Sequence, residues 1–203
     1  MEADKYYTIK ENSEGIYKEK GSRFLSFAFP VNTEDEAKQH INDLKKKYYD
    51  ASHCTYSYKI GIENQIFRMN DDKEPSGTAG KPIYGQIIAH HLTNILIVVV
   101  RYFGGTKLGT GGLTKAYREA AKDALHSENI ILKTIECYYE IVINYEDLDK
   151  TLKIIRENKS KIHSKKIHPS CQIIFSVDKQ YAEILIKQLL KNNRLKINYL
   201  YDK

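Results

Sequence analysis

The stretch from Ile95 to Leu125 constrains the fold of this chain more than any other. It opens on six consecutive apolar residues, Ile95-Leu96-Ile97-Val98-Val99-Val100, without the polar alternation of a strand that has one wet face. Such a run predicts a strand buried on both sides. Gly104, Gly105, Gly109, Gly111 and Gly112 follow, five of the chain's 11 glycines inside nine residues. Leu113, Ala116, Tyr117, Ala120, Ala121, Ala124 and Leu125 then recur at the spacing of one helix face. The expected order is strand, glycine loop, helix.

Glycine loses more freedom on folding than any other residue, about 0.5–1 kcal/mol relative to alanine in a regular element. Five together imply a backbone held at positive φ or approached closely by another group. A helix start supplies unpaired N–H groups and partial positive charge, so it suits an anion. Arg101 and Lys107 flank the loop with full charges. Together with Gly104, Gly105, Gly109, Thr110, Gly111 and Gly112 they form a candidate anion- or RNA-binding site. The competing reading is a tight turn that packs the helix on the sheet. A Walker loop is excluded, because Thr110-Gly111 stands where Lys-Ser/Thr is required.

A second loop, Asp71-Asp72-Lys73-Glu74-Pro75-Ser76-Gly77-Thr78-Ala79-Gly80-Lys81, leads to Pro82 in the first turn of another expected helix. Asp71, Asp72 and Glu74, with Ser76 and Thr78, are hard oxygen donors of the kind that hold Mg²⁺ beside a phosphate. The alternative is a solvated acidic turn plus helix capping. Between residues 52 and 60 the chain alternates, so His53 and Cys54 point to opposite faces and make a poor catalytic dyad. His53 remains a groove candidate, against the alternative of a hydrogen-bonded structural histidine. If the two loops adjoin, Glu74 or Asp72 pairs with Arg101 or Lys107, or shares a ligand with them. The expected arrangement is one groove with Arg101 at its floor. His90 and His91, adjacent on a helix, cannot face one metal ion, and no metal site is expected.

The remaining pattern divides near residues 128–132, giving expected domains 1–129 and 130–203. In the first, strands are expected at 6–10, 15–18 and 24–31, then a helix from Thr33, whose spacing to Glu36 makes a capping box. In the second, a strand over 130–144 and a helix capped by Asn144 open the order βαββαβ, the ferredoxin-like signature. Of the net charge of +6, residues 131–203 carry +5, which permits a polyanionic partner. Lys159, Lys161, Lys165 and Lys166 gather with His163 and His168 where residues 158–177 contain no acid. That hairpin can lie on RNA phosphates, or its lysines can serve to protect a sheet edge. His163, His168 and Cys171 lack a fourth metal ligand. Three widely spaced cysteines fit reduced thiols, and the polar N-terminus and short apolar runs imply neither signal peptide nor membrane span. A cytoplasmic protein is expected.

The segments Asp71 to Pro82 and Val98 to Leu113 resemble the two signatures of the IMPACT/YigZ family. Lys20-Gly21-Ser22-Arg23-Phe24 and Asp50-Ala51-Ser52-His53 match its weaker motifs. Lys73 stands where many members have glycine. Thr55 stands where a cysteine often follows the motif histidine, with Cys54 one place early. The resemblance implies an α+β protein whose first domain has the ribosomal-protein and elongation-factor-G domain-four fold. Its second domain would be ferredoxin-like, similar to the last domain of elongation factor G. For eukaryotic relatives it implies control of translation through a starvation-responsive kinase pathway.

The resulting expectation is a translation-associated protein binding RNA or the ribosome, with no cofactor. Arg101, Lys107, the glycine loop and Lys161, Lys165 and Lys166 would contact phosphates. A Mg²⁺-dependent phosphoryl-transfer or nucleotide-binding enzyme is the first alternative, for which His53 is the best, though weak, candidate general base. A module binding a protein partner in translation control is the second.

Overall fold

The computed structural model describes residues 4–62, 65–167 and 170–203. These form two compact units: Tyr6–Lys133, and Thr134–Lys203 together with Asp4 and Lys5.

The first unit is built on the apolar run. β6 (Ile95–Tyr102) is the central strand of a five-stranded antiparallel sheet, flanked by β3 (Ser22–Pro30) and β4 (His53–Ile60). β2 (Ser13–Glu19) and β5 (Ile66–Asn70) form its edges, giving the order β2-β3-β6-β4-β5. β1 (Lys5–Ile9) pairs separately with β7 (Ile130–Thr134). Both faces of β6 are covered, which is why its sequence lacks alternation. Ile95, Ile97 and Val99 pack in one core with α2 (Gly80–Ala89) and α3 (Gly109–Asp123). Leu96, Val98 and Val100 pack in another with Ala37, Ile41 and Leu44 of α1 (Glu34–Lys47). The Thr33 hydroxyl accepts from the Glu36 N–H at 3.1 Å, while the Glu36 carboxylate reaches one residue further back, to the Asn32 N–H at 2.7 Å. Lys20 and Gly21, both at positive φ, turn β2 tightly into β3. α2 begins at Gly80, so Pro82 falls in its first turn as expected, and α3 begins inside the glycine run.

In the second unit β8 (Glu136–Ile143), β9 (Lys161–Lys166), β10 (Cys171–Asp178) and β11 (Lys196–Asp202) form an antiparallel sheet in the order β11-β8-β10-β9. α4 (Leu148–Glu157) and α5 (Lys179–Leu189) cover one face over Ile141, Ile143, Ile173 and Phe175. The continuous strand expected over 130–144 is instead two strands, β7 and β8, which belong to different sheets. Between them Ile135 turns its backbone to other partners, its N–H to Asp4 and its carbonyl to Lys179. Asn144 does not cap α4 with its side chain; a 3-10 turn, Tyr145–Asp147, intervenes.

Candidate functional site

Alternation along β6 decides where the site lies. Arg101 continues the parity of Ile95, Ile97 and Val99, so its side chain enters the face covered by α2 and α3. The register sets it between Phe24 on β3 and His53 on β4. There it is only 5% exposed. A guanidinium so placed requires a carboxylate, because an unpaired buried charge is very costly. Glu74 supplies it: Arg101 Nη1 donates to Glu74 Oε1 at 2.5 Å. The Tyr117 hydroxyl, from α3, donates to the same oxygen at 2.8 Å, and His53 Nε2 lies 3.6 Å away. The guanidinium also sits 5.4 Å from the Phe24 ring centroid and 5.6 Å from that of Phe103. Burial, then the adjacent Glu74 carboxylate, pushes the Tyr117 phenol far above its ordinary pKa.

The acidic loop is organised by its own carboxylates. Asp71 accepts three backbone N–H groups, from Gly77 at 2.8 Å, Ala79 at 3.0 Å and Gly80 at 2.8 Å. Asp72 accepts from the Cys54 N–H at 2.6 Å, and its carbonyl meets His53 Nδ1 at 2.7 Å. A carbonyl only accepts, so Nδ1 carries the proton in that bond and Nε2 is the nitrogen that faces Glu74. Thr78 turns its hydroxyl back to the Pro75 carbonyl at 2.6 Å, and Ser76 is exposed. Of the sequence-based readings of these acids, helix capping holds for Asp71, which accepts the Ala79 and Gly80 N–H groups at the start of α2. The acids are otherwise neither freely solvated nor an open set of Mg²⁺ ligands, since each already has fixed partners. Among the described residues no group of three or more His, Cys, Asp or Glu is placed to share a metal ion. Lys73 adopts φ +69°, a conformation that glycine takes most readily.

Partial burial raises the pKa of Asp71, but its three N–H bonds outweigh this and hold it below 3.8. A depressed folded-state value means stability that is full above the unfolded pKa and lost as pH falls through the folded one. Asp71→Asn is therefore expected to cost about 1–2 kcal/mol near neutrality and progressively less below pH 3.8. Urea unfolding across that range checks it; a penalty independent of pH would contradict this account.

The glycine loop has two parts. Gly104 is packed against the β2–β3 turn and donates its N–H to Ser22 Oγ at 3.1 Å. Gly105 and Gly109 hold positive φ, and an added Cβ at Gly105, Gly109 or Gly111 meets nothing within 4 Å. At Gly112 it would press on Leu108 at 3.0 Å. Lys107, Thr110 and Gly111 are exposed, and no side chain caps the start of α3. The Arg101 guanidinium thus lies between Glu74 of the acidic loop and Phe103 at the entry to the glycine loop. The charge expected to face an anion is instead answered by Glu74; Lys107 is the exposed base of the pair. Cys54 lies in the opposite core, where burial pushes its thiol to about 11. Sequence reasoning assigned Tyr117 only to an apolar stripe. Its position opposite the odd residues of β6 was the signal for its polar role.

In the second unit Lys161 pairs with Glu136, while Lys165 and Lys166 are exposed on edge strand β9. His163 bonds to Ser176 Oγ at 2.8 Å, and Cys171 is buried in the core, so they do not converge. His168 lies outside the described residues.

These signatures and this geometry coincide with a family. Residues 20–125 match the model of the Impact N-terminal domain. The IMPACT family member YvyE of Bacillus subtilis is 35% identical over 84% of this chain and 77% of its own length. YigZ of Escherichia coli is 35% identical over 64% of each chain. The crystal structure of a hypothetical protein, 25% identical, superposes with a TM-score of 0.74 over 97% of this chain and 98% of its own. The chain belongs to the IMPACT family.

Proposed function

We propose that this protein acts in the cytoplasm in translation control by binding RNA or the ribosome through phosphate contacts. The observation that carries the reading is the open start of α3. Gly111 has neither a positive φ nor a neighbour that an added Cβ would strike. The fold therefore gives no steric reason for glycine there. Bare backbone N–H groups beside exposed Lys107 suit a phosphate. Arg101 serves this surface indirectly, by anchoring the acidic loop at the end of β6. Lys165 and Lys166 supply a second basic surface. The strand order of the second unit supports a ferredoxin-like fold, and we assign the first unit to the domain-four-like fold of ribosomal proteins and elongation factor G. No observation favours the Mg²⁺-dependent alternative, because the acids it needs are already bound.

The test is a salt titration of binding to ribosomes, tRNA and single-stranded RNA. Affinity should fall steeply with salt. Lys165→Glu/Lys166→Glu should flatten the log–log slope by about 0.7 for each single-strand phosphate that is no longer neutralised. Binding without salt sensitivity, or none at all, ends the proposal. Gly111→Ala should raise stability by about 0.5 kcal/mol while weakening binding severalfold. Unchanged binding would remove this loop from the RNA-binding surface.

A further inference from the structure

We infer that the open face of the second unit's sheet binds single-stranded RNA by base stacking at the ends of a ladder of three rings, Tyr201, Tyr138 and His163; this rests on the RNA-binding reading above. Tyr138 backs the two outer rings, and those present the free faces. Tyr201 and Tyr138 are cross-strand neighbours on β11 and β8, with ring centroids 4.7 Å apart and planes 18° from parallel. Tyr138 stacks on His163 of β9 at 4.9 Å and 19°. β10 runs between those two strands and contributes only the small Ser176 at this level. The register skips His163 on β9, making it the bulged residue.

The ladder has no packing duty in the core. β8 turns Cys137, Tyr139, Ile141 and Ile143 to the face covered by α4 and α5, so Tyr138 has the opposite parity. Tyr201 is 51% exposed. The ring at the β9 end is nevertheless held in place. His163 Nε2 bonds to Ser176 Oγ at 2.8 Å, Ser176 donates to Glu136 Oε2 at 2.9 Å, and Lys161 pairs with Glu136. Rings fixed before the ligand arrives spare it much of the ordering cost of binding.

Charge selects the occupant. Lys161 answers the Glu136 carboxylate, while the charge of Glu140 is met, among the described residues, only by the neutral Asn198 amide. Lys166, paired with Gln172, lies three residues beyond His163, about 10 Å along the strand, while Lys165, paired with the core residue Ile173, faces the helix side; both are exposed. A π-face beside a basic strand fits an unpaired base with its phosphate, as single-stranded RNA presents them. A duplex keeps its bases in its own stack.

Full-length protein should be titrated with labelled single-stranded oligo(A) RNA and with duplex RNA of equal length. The single strand should bind more tightly. Tyr201→Ala and Tyr138→Leu should each weaken its binding at least about fivefold with the salt slope unchanged. Tyr138→Phe, which keeps the ring, should bind like the parent. Circular dichroism checks that each variant folds, and Tyr201→Ala, at an exposed position, provides the test if Tyr138→Leu does not. Salt-sensitive RNA binding that ignores both tyrosines, or that favours the duplex, overturns the stacking inference and leaves the RNA reading standing. Absence of RNA binding by the parent protein overturns both.

Discussion

Arg101→Ala is expected to destabilise the first unit by about 3–5 kcal/mol. The substitution leaves the Glu74 carboxylate, 3% exposed, with the Tyr117 hydroxyl but without its cation. It also removes the guanidinium from between the Phe24 and Phe103 rings. Glu74→Gln should be costly for the mirrored reason, since the buried guanidinium then lacks a counter-charge. The informative variant is the double replacement Arg101→Met/Glu74→Leu. Buried ion pairs recover little net energy relative to well-packed apolar residues, so much of the single-variant loss should return. With two structural units, one urea transition need not report the first alone. Amide exchange along β6 isolates it. An Arg101→Ala protein with parental β6 protection but without RNA binding would show that Arg101 belongs to the binding surface instead.

The sequence made this pair foreseeable but did not decide it. Unbroken apolar character from Ile95 to Val100 implied two covered faces, and counting parity onward places Arg101 on one of them. The partner was left open between Glu74 and Asp72, because a loop has no periodicity from which to read direction. Asp72 and Lys73 both adopt positive φ, and that local path sends Glu74 inward while Asp72 turns to the Cys54 N–H. The opposed faces of His53 and Cys54 were legible for the reason that made the β6 parity legible, the two-residue period of a strand. The break at Ile135 was not. Alternation continues through it, and only tertiary hydrogen bonds to Asp4 and Lys179 divide the strand. The edge lysines show the same limit: composition made Lys161, Lys165 and Lys166 equivalent, while Glu136 on β8 singles out Lys161.

Gly104→Ala is the other substitution expected to have a large effect, and its cause is steric. Gly104 is not at positive φ, so conformation alone would admit alanine. Its Cβ, however, would stand 1.9 Å from the Gly21 carbonyl carbon, 2.1 Å from the Ser22 nitrogen and 2.3 Å from the Gly21 oxygen. These are all backbone atoms, with no flexible side-chain end to yield. Gly21 cannot retreat easily, because with Lys20 it forms the tight turn joining β2 to β3. Relief requires the turn and the end of β6 to separate. Separation would break the bond from the Gly104 N–H to Ser22 Oγ and draw Ser22 away from the Arg101 guanidinium. The expected cost is about 3 kcal/mol or more, read as a lower urea midpoint and faster amide exchange along β6. Gly111→Ala is the internal control, since the same methyl group there meets open space. Equal stability of the two variants would mean that the glycines are not divided between packing and exposure as the structure places them.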